Sequence, residues 1–443
     1  MDSGDGPHAP VRVVETHISH LFLVGDRVYK LKKPVRTGFL DFSSREQRER
    51  ACRHEVALNR RLSADVYLGV WTVSDEDGRP RDHLVVMRRM PEDRRLSTLV
   101  RGGAEVSAGL REVARRLAAL HARAEPSEVV SAQATRDAVR ANWEANFEEM
   151  APFAGTVLDP GDFERARTLS LGYLAGRKPL FDDRIAAGEA RDGHGDLLAE
   201  DIFLLDDGVR ILDCIDFDDR LRYGDVLLDA AFLAMDLERI GAPELGPRFL
   251  AWYQEFWGRG WQASLAHHYI AYRAQVRSKV ACLRHQQGDP EAAAKARQRH
   301  DLCLQHLERA RVRLVVVGGS PGTGKSTLAA GLATERDWEL FRSDEVRKEL
   351  AGMPHTARAS APLDSGLYSP ERVDATYAEL LRRARTALER GEPVVLDASW
   401  ARSHWREEAA KVARETAAEL VQLRCEAPVE LAAGRVAARL SAG

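Results

Sequence analysis

Cysteine is scarce in this 443-residue chain, and its five residues, Cys52, Cys214, Cys282, Cys303 and Cys425, form no C-x-x-C pair. That spacing argues against both a structural zinc site and a disulfide framework. The 14 histidines contain no H-E-x-x-H, which removes the common zinc-hydrolase signature. Charge of one sign is also missing: the formal net charge is -3, so no overall basic field draws in nucleic acid. No apolar run approaches a membrane span, and Met1 to Pro10 lack the apolar centre of a signal peptide. The expectation is a globular protein of a reducing cytoplasm, without membrane contact and with nucleic acid disfavoured as a partner.

Two further absences shape the domain reading. There is no internal repeat of solenoid period, and no glycine- or serine-rich linker. The chain is long enough for two or three cores, so the domains are expected to be packed together. Leu21–Val24, the Gly25-Asp26 turn and Val28–Leu31 read as a β-hairpin. Ser44–Leu62 has helical spacing, and a strand at Leu84–Met87 follows the turn Asp77-Gly78. Helices dominate from about 96 to 180, including Leu110–His121 and Asp137–Met150. Short strands at Ile202–Leu205 and Val209–Ile215 come next, and helices return from Gly224 to Arg309.

What is present most plainly is Gly319-Ser320-Pro321-Gly322-Thr323-Gly324-Lys325-Ser326, which follows the apolar strand Leu314–Val317 and precedes a helix opening at Thr327. Glycines at these places let backbone N–H groups turn inward around phosphate, and the helix N-terminus adds a favourable dipole. Lys325 can then reach the β- and γ-phosphates of ATP, and the Ser326 hydroxyl can bind Mg²⁺. Gly319 through Thr327 are therefore the expected nucleotide-binding residues. Pro393–Asp397 is an apolar strand ending in Asp397, where an acid that orients Mg²⁺ belongs; a plain strand-end aspartate is the alternative. Between them, Asp344 and Arg347 lie one turn apart on a helix beginning near Ser343. Such a pair could take a hydroxyl proton and grip an anion, or be the solvated charges of an amphipathic helix.

Residues 311–443 resemble the small P-loop kinases of the zeta-toxin and polynucleotide-kinase kind. That resemblance implies Asp344 as a base, Arg347 as a substrate clamp, and Arg435 and Arg439 as lid arginines approaching the phosphates. The sequence stops at Gly443, inside the expected lid, so ATP binding is expected to survive better than catalysis.

Upstream, His194-Gly195-Asp196-Leu197 is followed by Asp201 and by Ile215-Asp216-Phe217. This resembles the aminoglycoside-phosphotransferase-like kinases, relatives of protein kinases. The resemblance implies Asp196 as the base orienting an acceptor hydroxyl, Asp216 and Asp201 as Mg²⁺ ligands, and Asp229 as a buttress of the catalytic loop. It also implies Lys30, with Lys32 as the alternative, paired to Glu55. Two departures stand out. Asp201 replaces the usual Asn, and Thr16-His17-Ile18-Ser19-His20 replaces a glycine-rich loop. The whole order resembles a bacterial group combining both parts, carried also by Lys30-Leu31-Lys32-Lys33-Pro34 and Gly38-Phe39-Leu40-Asp41-Phe42.

The expected architecture is an α+β bilobal protein-kinase-like domain over residues 1–310, with a small lobe at about 11–95 and a helical lobe at about 96–310. An α/β P-loop domain with a mainly parallel sheet follows over 311–443. The expected function is an ATP- and Mg²⁺-dependent phosphotransferase acting on a hydroxyl of a small molecule. Arg273 and Arg277, if they border the cleft, would favour an anionic acceptor over a polycation; a solvated helix face is the alternative. A nucleotide-binding regulatory protein and a polynucleotide or nucleotide kinase are the competing functions.

Overall fold

In the computed structural model the described residues are 11–16, 18–36, 41–354 and 369–441, and the side chains of 439–441 are not described. His17 and Gly38–Leu40 lie outside them, as does the side chain of Arg439. Two compact units are present, one from Met1–Ala138 with Arg184–Gly260, the other from Val139–Asp183 with Trp261–Gly443.

The first unit opens with a five-stranded antiparallel sheet of order β1-β2-β3-β5-β4. Its strands are β1 (Arg12–Glu15), β2 (Ser19–Val24), β3 (Arg27–Lys32), β4 (Tyr67–Ser74) and β5 (Pro80–Arg88). The β2–β3 hairpin closes on Gly25-Asp26 as the sequence predicts, with Gly25 at a φ of 56° that favours glycine. The helix Arg45–Ser63 is started by a capping box in which Ser44 and Gln47 satisfy each other's backbone N–H groups. Its inner face sends Cys52 and Val56 against Val66, Tyr67 and Val85 of the sheet, a core that also takes in Phe203 and Leu212. Two short pairs add to the strands of this unit: β6 (Ala190–Asp192) with β9 (Tyr223–Asp225), and β7 (Ile202–Leu205) with β8 (Gly208–Ile211).

Two local expectations fail here. Strand β4 is unannounced in the sequence, because an edge strand keeps Leu68, Trp71 and Val73 exposed and so lacks clean alternation. The predicted strand to Ile215 stops at Ile211, because Asp213 turns left-handed at φ 62° and the Cys214 N–H is captured by Asn59 at 2.9 Å.

The second unit contains a four-stranded parallel sheet of order β11-β12-β10-β13, from β10 (Arg313–Gly319), β11 (Glu339–Arg342), β12 (Val394–Asp397) and β13 (Glu419–Cys425). Valines of β10 and β12 pack on Ala329 and Ala333 of the helix Lys325–Arg336. The unit also takes in residues 139–183 and 261–310, which the sequence reading assigns to the first domain, so the division by contacts does not fall at residue 310. Close contacts account for that. Ser264 donates to the Gly391 carbonyl at 2.6 Å, and buried Arg177 donates to the Thr416 carbonyl. Arg273 is buried in this unit, against the solvated-face alternative.

A Cβ on Gly176 would lie 1.9 Å from the Thr416 carbonyl oxygen. Gly176→Ala is expected to destabilise the second unit by about 1–3 kcal/mol through forced separation of these segments. Urea unfolding should show a lower midpoint, and an unchanged midpoint would contradict this packing.

Candidate active sites

The first site is built on β3. Residues two apart on a strand share a face, so Lys30 and Lys32 both point at the helix Arg45–Ser63. Their ammonium groups reach separate oxygens of Glu55, each at 2.8 Å. Lys32 also holds Asp216 at 2.8 Å and lies 5.0 Å over the Phe42 ring. Burial would push the Glu55 carboxyl up, but the two lysines hold it down at about 2. The structure thus brings together the expected lysine, glutamate and metal carboxylate, and it uses both candidate lysines instead of one.

The His194–Leu197 loop is fixed by the helix Val226–Arg239. Asp229 accepts the backbone N–H groups of His194 and Gly195, each at 2.8 Å, and pairs with His121 at 3.0 Å. Asp236, two turns further along, accepts the Ala199 N–H at 2.9 Å. Gly195 sits at φ 88°, where a side chain would be strained. Asp196 is therefore presented on a loop whose backbone is held by two buried carboxylates. Asp229 is the buttress expected from the sequence. Asp236 and His121 were missed, since the buried Asp229–His121 bond joins residues 108 apart.

Burial, together with Asp213 and Asp196, pushes the Asp201 carboxyl well above the usual carboxylate range. Burial and Glu55 likewise raise Asp216. Crowded carboxylates of this kind favour a bound cation, and Asp201 and Asp216 are the groups that would hold Mg²⁺. Mg²⁺ takes one or two carboxylates and completes its shell with phosphate oxygens and water. In place of a glycine-rich loop, the β1–β2 turn is tied by Thr16, whose hydroxyl donates to the Ser19 carbonyl and accepts the Ser19 N–H, both at 2.9 Å.

The second site lies at the C-terminal edge of the parallel sheet. Gly319, Gly322 and Gly324 have φ values of 146°, 82° and 90°, and Gly324 leads directly into the helix Lys325–Arg336. Thr323 donates to the Ser320 carbonyl at 2.8 Å and braces the loop, with Pro321 at its exposed tip. Asp397 lies opposite Val317 in register, and its buried Oδ1 has no hydrogen-bond partner among the described residues, which suits an acceptor for the water shell of a Mg²⁺ that Ser326 would hold. Asp344 is half-exposed and bound to Lys348 at 2.8 Å and Arg347 at 3.5 Å. Arg435 donates to the Gly322 carbonyl at 3.3 Å and faces a cavity of about 740 Å³ shared with Thr327, Leu328 and Glu335.

The Asp229 carboxyl is held below the usual range: burial raises it, but His121 and the loop amides lower it further. A depressed folded value means stabilisation that is present above about pH 4 and is lost as pH falls toward the folded value. Asp229→Asn should therefore cost about 1–3 kcal/mol at pH 7 and flatten the acid limb of the stability profile. Chemical denaturation from pH 7 down to pH 3 measures both; an unchanged acid limb would contradict the assignment.

Residues 314–443 match the family model described as AAA domain. Over 435 residues the chain is 44% identical to the uncharacterized protein Rv2004c of Mycobacterium tuberculosis, covering 98% of this chain and 87% of that protein. Among solved structures it is similar to a choline/ethanolamine kinase family protein from Mesorhizobium loti, at 14% identity, 69% of this chain, 94% of the other and a TM-score of 0.42. It is also similar to a gluconokinase from Sinorhizobium meliloti, at 18% identity, 30% of this chain, 66% of the other and a TM-score of 0.21. The chain belongs to the same family as the mycobacterial protein, and its residues 314–443 form the part that matches the AAA domain.

Proposed function

We propose that this protein is an ATP-dependent phosphotransferase with two nucleotide sites, and that the kinase-like portion moves the γ-phosphate of ATP to a hydroxyl of a small molecule. The reading rests on one observation above others: Lys32 joins Glu55 to Asp216 within a buried cluster, beside a loop that holds Asp196 in place. Asp196 orients the acceptor hydroxyl and takes its proton as the new O–P bond forms and the bond to the β-phosphate oxygen breaks, leaving ADP. Lys30, less enclosed than Lys32, is the cation that meets the phosphates. Asp201 and Asp216 are the residues that would hold Mg²⁺, which when bound neutralises phosphate charge. The rest is positioning by a backbone already fixed before ligand arrives.

The P-loop portion is proposed as a second ATP site with Gly319–Thr327 around the phosphates. Asp344 and Arg347 are its candidate base and substrate clamp, and Arg435 its lid arginine. A regulatory role for this portion has one observation in its favour. The Asp344 carboxylate is already engaged by Lys348 at 2.8 Å, so an incoming hydroxyl has to share it with that ammonium.

Asp196→Asn should lower the rate of transfer to an acceptor by at least about a hundredfold while nucleotide still binds. Lys325→Ala should remove one of two nucleotide equivalents and leave that transfer in place. Kinetics with a hydroxyl-metabolite mixture and equilibrium binding measure the two effects. If Lys325→Ala abolishes all transfer while Asp196→Asn changes nothing, the proposal fails.

A further inference from the structure

Lys30 and Lys32 share Glu55 but are not equivalent. The Lys32 side chain is 0% exposed, and its ammonium is already surrounded by Glu55, Asp216 and the Phe42 ring. The Lys30 side chain is 17% exposed and has a second, looser partner, Asp213, at 3.6 Å. Asp213 itself is 60% exposed, but its backbone is not free to wander. The Asp213 N–H donates to the hydroxyl of buried Tyr67 at 3.2 Å, the neighbouring Leu212 N–H to the Asp201 carbonyl at 2.9 Å, and the Cys214 N–H to Asn59 at 2.9 Å. Three consecutive amides are therefore captured, and the left-handed turn at φ 62° aims the carboxylate at Lys30.

We infer that Asp213 is the resident counter-ion of the nucleotide-facing lysine, occupying the place beside Lys30 that an ATP phosphate oxygen takes, so that it makes nucleotide binding at this site depend on a divalent cation. This rests on the kinase-like portion being a nucleotide site. The Asp213 carboxylate and the incoming phosphate compete for one ammonium and repel each other. A divalent cation relieves that repulsion because carboxylate and phosphate can both face it. Lys32 acts as a positioning residue that keeps Glu55 and Asp216 together and does not exchange partners. Metal-free ATP or ADP therefore binds against a penalty that the magnesium complex largely escapes.

The test uses the full chain carrying Lys325→Ala, so that the P-loop does not contribute, and follows ATP and ADP binding by calorimetry in EDTA and in excess Mg²⁺. Asp213→Asn removes the charge from a residue type that tolerates the left-handed turn, and Asp213→Gly keeps the turn with no side chain. Both variants should tighten metal-free nucleotide binding by about tenfold and change the Mg²⁺ complex by much less, so that the metal dependence shrinks. Equal or weaker metal-free binding in both variants would overturn the inference while leaving the nucleotide site intact. If the Lys325→Ala chain binds no nucleotide under either condition, the kinase-site reading fails and the inference with it.

Discussion

The Glu55 carboxylate is the group on which the first unit depends. It is buried, ionised, and shared by two ammonium groups that reach it from neighbouring positions of one face of β3. A buried carboxylate is costly unless it is paired and hydrogen-bonded, and removing one partner of such a cluster typically costs about 3–5 kcal/mol. The arrangement therefore ties the helix Arg45–Ser63 to the sheet at one depth and one rotation. Through Lys32 it also sets where Asp216 stands, and so links the sheet to the segment that follows β8. The placing of Lys30, Lys32 and Asp216 is thus a consequence of satisfying one buried charge.

The His194–Leu197 loop repeats that logic with backbone groups. Asp229 accepts from two consecutive amides of the His194–Gly195 turn, and Asp236 holds a third amide at Ala199. Both come from one face of a single helix, so the loop that carries Asp196 and leads to Asp201 is registered against a rigid element. The P-loop portion solves the same problem differently. There glycines supply left-handed backbone and close approach: a Cβ on Gly322 would stand 2.3 Å from the Ala432 carbonyl oxygen. One site is held by carboxylates that accept hydrogen bonds from amides, whereas the other is shaped by its glycines, with the Gly319 and Thr323 N–H groups bound to the Ser399 and Ser320 carbonyls.

Much of this is legible in the chain because it is written locally. The P-loop, its flanking strand and helix, and the β2–β3 hairpin all lie within short windows whose spacing carries the physics. Lys30, Glu55, Asp196, Asp216 and Asp229 become legible only through resemblance, since their partners are far apart in sequence. Asp213 has no signal of either kind. It sits where β-strand periodicity would be expected to continue, and its role depends on a left-handed turn and on Tyr67 and Asn59, which long-range packing brings to it. The division into compact units is equally hidden, because it follows from contacts such as Ser264 with Gly391, which no composition shift marks.

The most direct test follows label from γ-phosphate-labelled ATP into a hydroxyl-metabolite mixture by rapid quench. It compares the Lys325→Ala chain with the same chain carrying Glu55→Gln. The account predicts a labelled phosphoester from the first and a loss of about a hundredfold or more in the second, because the neutral amide no longer anchors Lys30 and Lys32. Equal rates of labelling from the two chains would contradict it.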